Sequence, residues 1–305
     1  AKVKYRVTRQ VQMPWWCYWY RPGADREITH GTTSTDAQGK FSVTFTAYPD
    51  RTIAEADEPV FTFVVHADIT DSAGETRSDS KSVRVGYAAM GVSMSTEPFL
   101  DADKPFSVPL NTQTLDGKGI PANGSVLAYS LKSPAKAQRR DFFNDVADLS
   151  DYTRWEQDQV AAEQTFNSTI DGTASVSFTL KPGAYRLVAT TRDRFGKTVT
   201  ARQNLLVVDQ QASRFPIRVP HVFLSKTTYL EPGQTFTGIW GTGYEEGQAY
   251  VEVEHRRKIL KSYWTDAKVT QHRVEVPVTE EMRGGFTVHV TYIRENQAYV
   301  EKTQI

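Results

Sequence analysis

Residues 61–76, FTFVVHADITDSAGET, and residues 185–198, YRLVATTRDRFGKT, are two versions of one hairpin. With Phe63 set on Tyr185, Asp71 falls on Asp193, Gly74 on Gly196, Thr76 on Thr198 and Val85 on Val207. Each version carries β-branched and aromatic residues into an Asp-x-x-Gly turn, where Asp can accept from the backbone that follows it and Gly supplies a positive φ. Just upstream, SVTFT at 42–46 matches SVSFT at 175–179, and a fainter third copy runs through RVEVPV (273–278) and GGFTVHVTY (284–292). Self-similarity of this kind predicts three copies of one structural unit.

Working outward, VKYRVTR, KFSVTFTAY, SVLAYSL and VEVEH alternate in the same way, so the fold class read from the chain is all-β. Boundaries fall near Gly86 and Val208, where each repeat's last strand ends. The expected units are 1–86, 87–208 and 209–305, each the size of an immunoglobulin-like β-sandwich, in tandem. One stretch departs from strand periodicity. Ser133-Pro134 offers a cap and a first-turn proline, followed by Phe142, Val146 and Leu149 at helical spacing, which predicts a helical insertion over about 133–166 in the second unit.

The chain has 305 residues with 36 basic and 36 acidic side chains, and each of the three units is balanced on its own, which argues against a nucleic-acid partner. Charges interrupt every apolar run before the roughly 18 residues a membrane span requires. A disulfide framework is excluded by the single Cys17. The N-terminal AKVKYRVTRQ reads as a strand and not as a signal peptide, so a cytosolic chain or a mature or excised segment is expected.

Motifs for chemistry are missing: there is no H-E-x-x-H, G-x-S-x-G, C-x-x-C or G-x-G-x-x-G. Gly196-Lys197-Thr198 resembles the end of a phosphate loop, but Thr191 stands where the leading glycine is needed. The six histidines are scattered singly, so no metal, cofactor or catalytic residue is expected. The compositional outlier is PWWCYWY, 14–20, whose aromatics exceed what one strand face needs. Trp15, Trp16 and Trp19 are therefore the candidate binding residues, as an inter-domain surface or a stacking platform for sugar or peptide.

The run GTTSTDAQGKFSVTFTAYPD (31–50), followed by VFTFVVHADITDSAGETRSDSKSVRVG (60–86), resembles successive strands of a macroglobulin domain from bacterial alpha-2-macroglobulin-like proteins. YLEPGQTFTGIW (229–240), AYVEVEHRRKILKSYW (249–264) and VEVPVTEEMRGGFTVHVTYIRE (274–295) are similar to the domain preceding that family's bait region. The resemblance implies serial macroglobulin-type sandwiches in a protein that traps proteases when its bait is cleaved, with covalent capture where a C-x-E-Q thioester is present. Cys17 has no Glu-Gln after it, no bait-like stretch is evident, and the first unit lacks the usual leading strand.

What the resemblance implies here is a non-catalytic scaffold segment of such an inhibitor. Its partners would be neighbouring macroglobulin domains and, through the parent protein, proteases. Its place would be a bacterial cell envelope, periplasmic or extracellular. The alternative is a carbohydrate- or peptide-binding module of tandem sandwiches built on Trp15, Trp16 and Trp19.

Overall fold

The computed structural model describes residues 1–14, 16–17, 20–21, 23–140 and 148–305. Its first sheet contains β1 (Lys2–Gln12), β2 (Arg26–Ser34), β3 (Val60–Thr70) and β4 (Thr76–Gly86), in the order β2-β1-β3-β4. Next come β5 (Met90–Met94), β6 (Leu100–Asp101), β7 (Phe106–Thr114), β8 (Asn123–Leu131), β9 (Gln157–Asn167), β10 (Thr173–Phe178), β11 (Gly183–Arg192) and β12 (Thr198–Val208). They form two sheets, β10-β7-β5 and β6-β12-β11-β8-β9. The remainder is β13 (Val222–Ser225), β14 (Thr235–Gly241), β15 (Ala249–His255), β16 (Lys258–Trp264), β17 (Gln271–Pro277), β18 (Thr287–Arg294) and β19 (Gln297–Gln304). These too make two sheets, β13-β14-β17 and β16-β15-β18-β19. The chain is all-β, as its periodicity predicts.

One antiparallel sheet order is used three times: β2-β1-β3-β4, β9-β8-β11-β12 and β16-β15-β18-β19. The repeated Asp-x-x-Gly tips have one chemistry. Asp36 Oδ1 accepts from the N–H groups of Gln38 and Lys40, Asp71 Oδ1 from Ala73 and Glu75, and Asp193 Oδ1 from Phe195 and Lys197, all at 2.7–2.9 Å. Gly39, Gly74 and Gly196 take φ of 77°, 86° and 80°, a region that any Cβ disfavours.

Alternation along the strands sends every second side chain into a core. Val108, Leu110, Phe178, Val126 and Leu187 close the space between the two sheets of β5–β12. Phe236, Trp240, Val274, Val251 and Val288 do the same between the two sheets of β13–β19. A further cluster lies between these bodies: Leu206 and Val208 of β12, Phe215, Ile217 and Val219 of the connection, and Ile239 on the opposite face of β14 from Trp240. Phe215, Ile217 and Val219 are thus buried between the back of one sheet and the back of the next.

Two expectations need correction. The stretch 133–166 is not helical where it is described: residues 133–140 form no helix, Tyr152–Arg154 is a single 3-10 turn, and Gln157–Asn167 is strand β9, paired with β8. Phe142 and Val146 lie outside the described residues. What this insertion does is bridge. Ala137 is buried in the core of β13–β19, Arg139 donates to Glu295 O (3.3 Å), and the Arg218 N–H donates to Ser133 Oγ (3.3 Å). The second correction is KFSVTFTAY, 40–48, which alternates like a strand yet joins no ladder.

Candidate functional site

The aromatic segment follows β1 in the chain. Of the three tryptophans expected to form a surface, Trp16 is described, while Trp15 and Trp19 lie outside the described residues. Its local chain is fixed by two turns, Cys17 N–H to Pro14 O and Tyr20 N–H to Cys17 O, both 3.0 Å. The Trp16 ring lies under the Arg202 guanidinium of β12, 5.3 Å from its carbon. Thr200 and Arg202 reach this place because Val199 and Ala201 occupy the inward positions of β12.

A cleft of about 600 Å³ opens here, between Met13, Pro14 and Trp16 on one side and Met90, Leu115 and Thr200 on the other. Glu58 lines it with a left-handed backbone (φ 53°), and burial pushes its carboxyl pKa up, against hydrogen bonding from Thr200 and the nearby Arg202 charge. Burial also raises the Cys17 thiol, assisted by the Asp57 carboxylate, and Cys17 Sγ lies 3.8 Å from Asp57 O. A buried thiol held in its neutral form is a poor nucleophile.

Beside the cleft, the 193–197 tip meets the first sheet's end. The Ala89 N–H donates to Asp193 Oδ2 (2.8 Å), and this bond, with those from Lys197 and Phe195, holds the Asp193 carboxyl below its usual range. Lys197 Nζ pairs with the Glu55 carboxylate. Together with the arginine over Trp16, these contacts are polar, directional and made between segments flanking the first sheet and the β11–β12 hairpin. The sequence carried a sign of Trp16 in its aromatic density. It carried none of Glu58, Thr200 or Arg202, which join the site only through a pairing of distant segments.

Elsewhere the candidate chemistry disperses. Among the described residues, no group of three or more His, Cys, Asp or Glu is arranged to hold a metal ion. His30 contacts Glu27, His289 contacts Glu254, and His255 contacts Gly285 O. The Gly196-Lys197-Thr198 motif is a hairpin tip closed by Asp193 N–H to Lys197 O. The basic tip His255-Arg256-Arg257-Lys258 closes β15 and β16 and is exposed at its two central arginines. Among the described residues, no helix is long and apolar enough to cross a membrane.

No protein-family model matches the chain, and no curated protein matches it. Among solved structures it is similar to E. coli alpha-2-macroglobulin in its native conformation, at 12% identity over 99% of this chain and 20% of that one, with a TM-score of 0.37. Salmonella alpha-2-macroglobulin reacted with methylamine matches at 13% identity over 98% of this chain and 20% of that one, with a TM-score of 0.35. A tetra-tandem repeat from the extending region of a large adhesion protein matches at 15% identity over 98% and 66%, with a TM-score of 0.23. The chain spans about a fifth of the length of the macroglobulins it matches.

Proposed function

We propose that this chain is a non-catalytic scaffold segment of an alpha-2-macroglobulin-like protease-trapping inhibitor, made of three sandwich units divided near Gly86 and Val208. The observation that carries the reading is the threefold use of one sheet order, with a common buried cluster joining β12 to β14 through residues 215–219. Such a body transmits position rather than performing chemistry, because a close-packed junction moves as a piece. The hairpin motifs of 31–86 and 229–295, in their order along the chain, support assignment to the protease-trapping family. Proteases as partners and a bacterial envelope location come with that resemblance and belong to the same proposal.

The second reading, a sugar- or peptide-binding module on Trp15, Trp16 and Trp19, is less well supported. Trp16 is engaged with Arg202 of another sheet and is better suited to a junction than to an open stacking platform.

The reading is tested by incubating the purified chain with trypsin-like and elastase-like proteases and following digestion of a large protein substrate. The expected result is uninhibited digestion, since a scaffold segment needs the bait and shell supplied elsewhere. Saturable inhibition by the chain alone would contradict the scaffold role and direct attention to the basic hairpin around Arg256 and Lys261.

A further inference from the structure

The outward face of the first sheet carries a row of hydrogen-bond donors with no carboxylate in it. Arg6 of β1 lies opposite His30 of β2 and His66 of β3, and His66 lies opposite Ser80 of β4, so the row reads His30-Arg6-His66-Ser80. Residues paired in this way share a face, here the one turned away from the buried Val3, Val7 and Phe63. Among the described residues, neither Arg6 nor His66 has an ion pair or a side-chain hydrogen bond, while His30 contacts Glu27 Oε1 at 2.7 Å.

The other two copies carry an acid in such a row. With Phe63 set on Tyr185, His66 falls on Val188, whose row is Glu163-Leu127-Val188-Arg202. In the third copy, the row through His289 is Ser262-Glu252-His289-Lys302. Opposite charges facing one another across strands stabilise a sheet, and the third copy sets Glu252 directly across from its histidine. In the first copy that place is taken by Arg6, a group that only donates.

The row borders a shallow hollow of about 650 Å³, formed by Lys4, Arg6, His66, Asp68, Ser78 and Ser80. The acids beside it are engaged: Asp68 lies opposite Lys4 and accepts from Ser78 Oγ (2.5 Å), and Asp79 Oδ1 accepts from the Ser80 N–H (2.7 Å). Left to face a ligand are the Arg6 guanidinium, the His66 ring and the Ser80 hydroxyl. A guanidinium is a planar fork that holds two oxygens of an anion at once. β1 and β4 are two strand spacings apart, about 10 Å, so the donors come from two sides. A tetrahedral ester group offers three free oxygens to them, where a planar carboxylate offers two.

We propose that this hollow binds the phosphate or sulfate group of an ester, with Arg6 gripping two of its oxygens, His66 and Ser80 donating from the far side, and Lys4 offsetting Asp68. The proposal is independent of any role in protease trapping.

The test titrates the isotope-labelled chain with methyl phosphate, methyl sulfate and acetate at pH 7 and constant ionic strength, following backbone amides by NMR. Either ester should produce saturable shifts centred on Arg6, His66 and Ser80, with β15 and β18 amides unmoved, and the tighter of the two identifies the ester. Arg6→Gln should weaken the binding by about 10-fold or more, the scale of a lost charge-assisted pair. Lys81→Gln, on the opposite face of the same sheet, should leave it unchanged, and unmoved β15 and β3 amides in both variants report an intact fold. Shifts that do not saturate, equal shifts with acetate, or equal affinity in wild type and Arg6→Gln would each overturn the proposal.

Discussion

His221 is enclosed by rings from three strands. Its imidazole stacks on Tyr299 (centroids 5.5 Å) and Tyr292 (6.1 Å), and Trp240 Nε1 donates to its Nδ1 at 3.2 Å. The accepting Nδ1 places the proton on Nε2, which has no partner among the described residues. Burial pushes the imidazole pKa down from 6.5 to about 4. A histidine whose folded pKa lies below its unfolded value leaves stability intact above pH 6.5 and removes it as pH falls toward 4, here by about 3 kcal/mol at most. Urea unfolding at pH 7, 5.5 and 4.5 should show that loss, and His221→Gln, which keeps an acceptor for Trp240 and cannot titrate, should remove most of it. His272, lowered by its own burial, contributes in the same direction and serves as the second variant. Equal pH dependence in wild type and His221→Gln would contradict the assignment. None of this is legible in sequence, where His221 is an isolated histidine and Trp240, Tyr292 and Tyr299 are tens of residues away.

At the scale of elements, the hairpin tip between β15 and β16 is a two-residue turn. His255 pairs with Lys258, and Arg256 and Arg257 both take positive φ, 49° and 65°. Such turns favour Asn-Gly, because each ordinary residue held there costs about 1 kcal/mol. The double variant Arg256→Asn, Arg257→Gly should therefore raise stability by roughly 1–2 kcal/mol in urea titration. An unchanged or lowered midpoint would mean that the arginines make interactions that offset their backbone cost. Strands with one buried face, such as β11 and β18, are legible because their alternation reports two environments. β9 reads as helix for the converse reason. Phe166 is its sole fully buried residue, and Ala161, Ala162, Glu163 and Gln164 favour helix until the ladder to β8 overrides them. In residues 40–48 the alternation was legible, but pairing is a property of two segments and cannot be read from one.

For the whole molecule, the two junctions differ in kind. The 193–197 tip and Arg202 of β12 meet the segments flanking the first sheet, Ala89, Glu55 and Trp16, through polar contacts that contribute little individually where water reaches them. β12 meets β14 through Leu206, Val208, Phe215, Ile217, Val219 and Ile239, all buried. Truncating one of these, as in Ile217→Ala, should cost roughly 2–5 kcal/mol. The repeat from which three copies are expected says nothing of this difference, since the connections fall outside the repeated motifs. Scanning calorimetry of the intact chain tests the scaffold account most directly, because a stiff segment requires its buried junction to unfold with the sandwiches it joins. The account predicts two transitions: an early one for residues 1–86 with their thin core, and a later single one for 87–305 that Phe215→Ala splits in two. Three separate transitions in the unaltered chain would contradict it, because the second and third copies would then be independent beads and not one rigid piece.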